Sequence, residues 1–463
     1  MLRLNTLKEK SPRESLLAQV KREVQAGRSQ SLHKAVLLNL SGENPPQQSR
    51  RLWDIDLKIG NRPSFPVSQN AGIAKLFDRL DGKLVILGAV GAGKTTTLLE
   101  LAAKLINRAE NDANLACPIV LNLASLPDDS IAIADWLVEQ IKIKYNIPVE
   151  LSQKWLSQQQ LLPLFDGLDE IASERHDPLI QAINQFIESE FAPKNLVVCS
   201  SFEAYKKCKN RFKLRAAILL KPLTETKIRE YLIGARSREV WYSIEGNPEL
   251  LKLAKTPLFL NMLTLAYEEI LIESWKRLPS PEAQRQYLLN AYIRRQMTRE
   301  INQKWYPKGK EPRPEKIRHW LAWLATRMEE ENLIDFSLGK MSPSWLQTEK
   351  EQQIYWTGVR LIKGTSLALT VGFILAFILP EIWGFIAGLI AGVLGVIFAD
   401  RPAFKVPAIE NFILRFVLWQ HSYIPWNYQR FLCYASERLL LQKIGKNRYR
   451  FIHNLLQKHL AKM

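Results

Sequence analysis

Residues 88–96 read Gly88-Ala89-Val90-Gly91-Ala92-Gly93-Lys94-Thr95-Thr96, directly after the apolar run Lys83-Leu84-Val85-Ile86-Leu87 and before a helical pattern through Leu101 and Leu105. The pattern Gly-x4-Gly-Lys-[Ser/Thr] between a strand and a helix predicts a phosphate-binding loop. Gly88, Gly91 and Gly93, with the small Ala92, let backbone N–H groups curl round phosphate oxygens. Lys94 brings a charge to the β and γ phosphates, Thr95 offers a hydroxyl to Mg²⁺, and Thr96 continues the cradle. A Gly-rich turn capping an ordinary helix is the bland alternative, and the strand-loop-helix context argues against it.

A second motif lies at Leu161-Leu162-Pro163-Leu164-Phe165-Asp166-Gly167-Leu168-Asp169-Glu170. An apolar strand ends in Asp166, with two further carboxylates three and four residues on. In an open α/β sheet the ligand lies beyond the carboxyl ends of the strands. Asp166 is therefore expected to hold Mg²⁺, and Glu170 or Asp169 to orient an attacking water. Strand candidates at 83–87, 118–123, 161–165, 195–199 and 217–220 alternate with helical patterns, which predicts a parallel sheet covered on both faces. Pro163 predicts a bulge or a displaced register.

The chain has 463 residues, 47% hydrophobic and 24% charged, a globular profile with room for two or three domains. Cys117, Cys199, Cys208 and Cys433 form no C-x-x-C pair and the six histidines are scattered, so neither a disulfide framework nor a metal-ligand cluster is expected. The net charge of +18 suits nucleic acid or anionic lipid equally. No recognition motif accompanies it, so a nucleic-acid partner is not expected. The first ten residues lack an apolar h-region, which predicts no signal peptide and a cytoplasmic start. Ser11-Pro12 opens a helix along Leu16, Leu17, Val20 and Val24, with a shorter one at about 31–39; residues 41–51 read as a polar linker.

Residues 364–399 carry one charge, Glu381 beside Pro380. Taken as helices 364–379 and 382–399, the pieces measure about 24 and 27 Å at 1.5 Å per residue, close to the roughly 30 Å hydrocarbon thickness. Gly364, Ala368, Gly372, Ala376 and Gly384, Gly388, Gly392 recur every four residues, a spacing that lets helices approach closely in lipid. Arg360 and Lys363 precede the segment and Arg401 and Lys405 follow it, which predicts a transmembrane hairpin with both ends on the cytoplasmic side. Tyr355, Trp356 and Trp383 stand where interfacial aromatics belong. A surface-lying or soluble hairpin is the other reading.

Over residues 52–463 the chain resembles the NACHT-type NTPases of the STAND class, and closely the membrane-linked ones of cyanobacteria and related bacteria. The resemblance is carried by the phosphate loop, by Phe165 to Glu170, by Leu220-Lys221-Pro222-Leu223-Thr224, by Thr256-Pro257-Leu258-Phe259-Leu260 and by Tyr449-Arg450-Phe451-Ile452-His453. It implies ATP/ADP with Mg²⁺, a role for Pro257 against adenine, and one for His453 at the β-phosphate of ADP. Without it, His453 reads as an ordinary core histidine. The family's Ser-Arg after the fourth strand is here Ser200-Ser201, which leaves binding intact and predicts very slow hydrolysis.

The expected organisation is an N-terminal helical segment and linker at 1–51, a P-loop domain at 52–235, a helical domain at 236–345, a juxtamembrane linker at 346–363, the hairpin at 364–399 and a winged-helix-like part at 400–463. The function this implies is a nucleotide-controlled switch in signalling or defence, anchored in a cell or internal membrane and self-associating on activation. No repeat of 20–50 residues is present to sense a signal, so sensing is expected from the hairpin, from the N-terminal helices or from a sensor or signalling partner. The alternative is a membrane scaffold that retains nucleotide without turnover.

Overall fold

The computed structural model describes residues 11–30, 32, 36, 54–59, 64–67, 72–128, 130–301, 304–307, 309–376, 378, 381–398, 406–444 and 447–463. The linker read at 41–51, the turn residue Pro380, Asp400 and the basic flank Arg401 and Lys405 lie outside the described residues, as does most of the short helix read at 31–39. The chain divides into two compact units, one of Met1–Glu300, Arg438–Lys446 and Arg450–Leu456, the other of Ile301–Glu437, Asn447–Tyr449 and Gln457–Met463.

The first unit is built on a seven-stranded sheet of β1 (Ile55–Ile59), β2 (Phe65–Val67), β3 (Lys83–Gly88), β4 (Cys117–Asn122), β5 (Leu161–Asp166), β6 (Leu196–Ser201) and β7 (Ala216–Leu220), in the order β2-β1-β7-β3-β6-β5-β4. The five expected strands are there and run parallel. Residues of β5 and β6 are buried throughout, as continuous apolar strands covered on both faces must be. The expectation of a purely parallel sheet is corrected at one edge, where β1 pairs antiparallel with β7 and with β2. Ile55, Leu57 and Ile59 alternate with Asp56 and Lys58, the pattern of a strand with one polar face. The expected bulge at Pro163 is also corrected. The β4–β5 register runs unbroken through Ile119↔Pro163, and β5 meets β6 at Leu164↔Val197 and Phe165↔Val198, beyond the proline.

The helices of this unit are α1 (Pro12–Ser29), α2 (Ile73–Arg79), α3 (Lys94–Asn111), α4 (Ile133–Tyr145), α5 (Val149–Ser157), α6 (His176–Glu188), α7 (Phe202–Lys207), α8 (Glu225–Gly234), α9 (Arg238–Glu245), α10 (Pro248–Ala254), α11 (Pro257–Ala266), α12 (Ile272–Lys276) and α13 (Pro281–Thr298), those from α8 onward packing mainly on one another. The start of α1 is fixed by a capping box, in which Ser11 Oγ accepts from Glu14 N–H and the Ser11 N–H donates to the Glu14 carboxylate, each over 3.2 Å. Its apolar face of Leu16, Leu17, Val20 and Val24 is buried. Its polar side is tied to the sheet layer: Arg13 donates to Ala109 and Leu115 carbonyls, and Lys144 pairs with Glu23 at 3.0 Å.

The second unit contains α14 (Pro314–Glu330), α15 (Glu349–Ala376), α16 (Glu381–Ile397), α17 (Pro407–Gln420) and α18 (Tyr428–Glu437). Helix α15 starts at Glu349, so most of the stretch read as a linker at 346–363 is helical and continuous with the first apolar arm. Helices α15 and α16 pack antiparallel along their small-residue stripes. A Cβ on Gly388 would lie 2.8 Å from Gly372 Cα, one on Gly392 2.8 Å from Ala368 Cβ, and one on Gly395 3.1 Å from Gly364 Cα. Their outer faces are apolar and exposed, at Leu369, Ile374, Ile382, Phe385 and Ile397. Among the described residues one helix, Glu349–Leu375, is long and apolar enough to cross a membrane; Ile382–Ile397 is a shorter apolar helix.

Two of the expected interfacial and flanking roles need correction. Tyr355 is buried at 1% exposure and stacks edge-on against Trp356, so it belongs to the core. Lys363 is buried as well, and its ammonium meets Glu410 of α17 at 2.7 Å, because a charge removed from water needs a partner.

Candidate functional site

The site lies where the carboxyl ends of four parallel strands meet: Gly88 of β3, Asn122 of β4, Asp166 of β5 and Ser201 of β6. Strand register sets these ends level, pairing Gly88 with Ser201 and Asn122 with Asp166. The loop after β3 turns back through Gly91 at φ 79° and Gly93 at φ 94°, the left-handed region that glycine enters without a steric penalty. Helix α3 then starts at Lys94, which puts Lys94, Thr95 and Thr96 in its first turn with their N–H groups at the positive end of the helix.

The side chains of the two motifs meet. Thr95 Oγ1 donates to Asp166 Oδ2 over 2.7 Å. Lys94 Nζ donates to the Gly88 and Ala89 carbonyls at 3.3 and 3.2 Å and pairs with Asp169 at 3.4 Å. The other oxygen of Asp169 accepts the Ser201 N–H at 3.0 Å, so Asp169 braces the end of β6 against the loop lysine. Glu170 accepts from Asn122 Nδ2 at 2.7 Å. Gly167 sits between them at φ 80°, and a Cβ there would lie 2.5 Å from Asn122 Oδ1; the small residue after Asp166 is a steric requirement.

Crowding these carboxylates changes their acidity. Burial pushes Asp166 up, opposed by the Thr95 hydrogen bond, with Asp169 adding to the rise. Glu170 is pushed up to about 7 by the protein packed around it and by Asp166, against the Asn122 hydrogen bond, while its carboxylate still reaches solvent in the cleft.

Two distant segments join the site. The Leu258 N–H donates to the Gly91 carbonyl at 3.2 Å, which sets the start of α11, with buried Pro257 at its first position, against the phosphate loop. From the far end of the chain comes His453, close enough to Lys94 and Asp169 for their charges to act on it. Its pKa is pushed down to about 4 by burial and by Lys94, with Asp169 opposing, so the ring is neutral at neutral pH. Nδ1 accepts the Leu455 N–H at 3.1 Å, which leaves the proton on Nε2 as a donor. Arg450, three residues earlier, acts on Asp166, Glu170 and His453.

The sheet, the loop and the acidic strand end are those of a P-loop NTPase. Residues 83–238 match the NACHT domain. This NACHT segment implies nucleotide binding, typically with Mg²⁺, and the hydroxyl and carboxylate oxygens of Thr95 and Asp166 are the hard donors such an ion takes. No curated protein matches the chain. Among solved structures it is similar to an Aeropyrum pernix ORC1 protein in complex with DNA, at 13% identity over 84% of this chain and 90% of that one, with a TM-score of 0.32. It is also similar to Drosophila ORC bound to DNA (13%, 66% and 82%, 0.29) and to the Aeropyrum pernix ORC2 protein in ADPNP-ADP complexes (13%, 84% and 90%, 0.29).

Sequence reasoning missed Asn122, which fixes Glu170, and passed over Arg450. Asn122 had one signal, a polar residue ending an apolar strand. Ser201 stands where an arginine was expected, and its side chain is committed as the cap of α7, accepting the Ala204 N–H at 3.0 Å.

Proposed function

We propose that the chain is a membrane-anchored ATP/ADP switch of the NACHT/STAND kind. ADP lies between the phosphate loop and His453, Pro257 lies beside the adenine, and exchange for ATP with Mg²⁺ on Thr95 and Asp166 releases a closed form for self-association. The observation that supports this reading is that the Thr95–Asp166 and Lys94–Asp169 pairs join the two motifs, while a neutral His453 with its proton on Nε2 lies close enough to feel the Lys94 and Asp169 charges. A neutral donor imidazole and a lysine ammonium together bind a diphosphate from two sides.

Among the three carboxylates Glu170 is the better base, because Asp169 is occupied by Lys94 and the Ser201 N–H. When bound, Mg²⁺ would supply charge neutralisation at the phosphates. Turnover is slow, since Ser201 offers no cation to the transferring group; that residue is also what favours the second reading, a membrane scaffold that keeps nucleotide without hydrolysing it.

The anchor is the α15–α16 hairpin. Support comes from its exposed apolar outer faces and glycine-to-glycine packing. In the same unit the rings of Phe412, Trp419 and Trp426 cluster exposed, the outer two with centroids 6.3 and 5.1 Å from Trp426, and tryptophan is a residue enriched at membrane interfaces. A hairpin returns both its ends to one side, and the basic residues that flank it in sequence assign that side, with the soluble parts, to the cytoplasm. A signalling or defence role, with an upstream sensor partner, follows from the switch class.

The test is to extract the full chain in detergent and quantify what nucleotide it carries. ADP near one per chain supports the closed switch; a chain that neither retains nor binds ADP or ATP contradicts it.

A further inference from the structure

The second unit carries a cavity of about 560 Å³, walled by the segment that leads into α14 and by the turn that leads into α18. That is the size of a small-molecule site. Four cations line it, Lys310, Arg313, Lys316 and Arg430, against one carboxylate, Glu311. Among the described residues the ion pair within α14 is Arg327 with Glu330 at 2.7 Å, at the opposite end of the helix, and none reaches Lys310, Arg313 or Lys316. The lining therefore holds positive charge that the protein itself does not neutralise.

The walls are set before any ligand arrives. Arg430 Nε donates to the Trp305 carbonyl and the guanidinium lies 4.2 Å over the Tyr306 ring, while its two terminal nitrogens make no hydrogen bond among the described residues. Tyr306 meets Tyr434 edge-on at 5.1 Å; Trp320 meets Phe431 edge-on at 5.0 Å and donates from Nε1 to the Ser422 carbonyl at 3.1 Å. Fixed side chains lose little freedom when they bind. Two helix starts border the same cavity. Asn427 Oδ1 accepts the Arg430 N–H at 3.1 Å at the start of α18, and no side chain caps the first turn of α14, whose N-cap is Arg313. The first turn of a helix is its positive end and is ordinarily lined with acidic residues. Here Arg313 and Lys316, one turn apart, add two like charges to it, and Glu315 offsets only one. A multiply charged anion in the cavity removes that repulsion.

We propose that this cavity is a second phosphate site, which takes a phosphate ester or diphosphate of two or more negative charges on Arg313, Lys316 and Arg430, with the Tyr306 and Trp320 rings beside its organic part. The planar guanidinium fork matches pairs of phosphate oxygens, and the ring faces accept an apolar or flat group. Two sources share this chemistry, a soluble phosphorylated compound and the head group of an anionic phospholipid. The second fits the exposed Trp426, which stands between the lining residues Pro425 and Asn427. None of the phosphate-loop residues takes part, so the site does not rest on the nucleotide reading above; its lipid source alone rests on the membrane reading.

The experiment titrates inorganic pyrophosphate into the full chain in detergent, in a Lys94→Ala background that takes the phosphate loop out of the measurement. Saturable binding is expected. Arg313→Gln with Lys316→Gln, both exposed, should weaken it about 10- to 100-fold through lost charge-assisted hydrogen bonds. Lys206→Gln with Lys207→Gln, exposed lysines of α7, removes the same charge elsewhere and should leave affinity within about 3-fold. A second arm uses mass spectrometry to count the phosphatidic acid and phosphatidylcholine that the same proteins retain from mixed micelles. Pyrophosphate binding that falls in the cavity pair alone supports a soluble ligand. Retention of phosphatidic acid over phosphatidylcholine that is lost in the cavity pair alone, with pyrophosphate unbound, supports a head group. No saturable binding in either arm, or binding that is the same in the cavity pair and the α7 pair, overturns the proposal.

Discussion

The Thr95 hydroxyl donates to the Asp166 carboxylate over 2.7 Å, joining the first turn of the helix after β3 to the last residue of β5 across 71 positions of sequence. That bond gives the two motifs one site, and the electrostatics of the neighbouring carboxylates follow from how closely the strand ends are set.

Hydrolysis should depend on Glu170. Its pKa is pushed up to about 7, and a base acts only when deprotonated, so the rate should rise with pH toward a midpoint no higher than about 7. Glu170→Gln should remove the activity and its pH dependence. The stability sign follows from the same shift: the folded state binds the extra proton between the ordinary 4.5 and about 7, so stability relative to Glu170→Gln is highest below that window and is lost as pH rises through it. Thermal melts across that range check it; parallel curves contradict it.

Gly167→Ala places a methyl group against Asn122 in a backbone conformation at φ 80°. The expected cost is about 1–3 kcal/mol. Nucleotide affinity should fall with it, because Asn122 and Asp166 are displaced together. Denaturant unfolding with ligand titration reads both; a neutral substitution would mean that the turn relaxes freely.

His453 should titrate near 4 without nucleotide, and a bound phosphate should raise that value, since the anion favours the imidazolium. Binding then takes up protons, and ADP affinity should strengthen as pH falls from neutrality. His453→Gln should flatten the dependence, apart from the phosphate's own titration. Equal pH dependence in the two proteins would remove His453 from the ligand.

Much of this was legible because the chemistry is carried by contiguous residues. The loop glycines, Lys94, Thr95 and the Asp166 strand end each announce themselves within ten positions, and buried parallel strands read as unbroken apolar runs. Strand β1 was missed because an alternating pattern is weaker than an apolar run, and β2 because three residues centred on Pro66 carry no period at all. The bond from the Gln442 side chain to the Gly27 carbonyl spans 415 positions and leaves no local mark. Lys363 and Tyr355 misled for the same reason: a charge and a ring beside an apolar segment look like membrane flanks until Glu410 and the surrounding core supply their partners.

The hairpin reading is tested by topology. The four cysteines are all buried, so an introduced thiol stands out. Ile378→Cys should react with an impermeant reagent from the non-cytoplasmic face, and Val406→Cys should not. Reaction of both from one face contradicts a spanning hairpin. Gly388→Ile, aimed at Gly372 Cα, should loosen the helix pair.

The central claim, that nucleotide is held between the phosphate loop and His453, is tested most directly by equilibrium ADP binding to the full chain and to Lys94→Ala and His453→Ala. Binding should be lost in Lys94→Ala and weakened about tenfold in His453→Ala, by the worth of one hydrogen bond to a charged phosphate. Wild-type affinity in both variants would contradict the account.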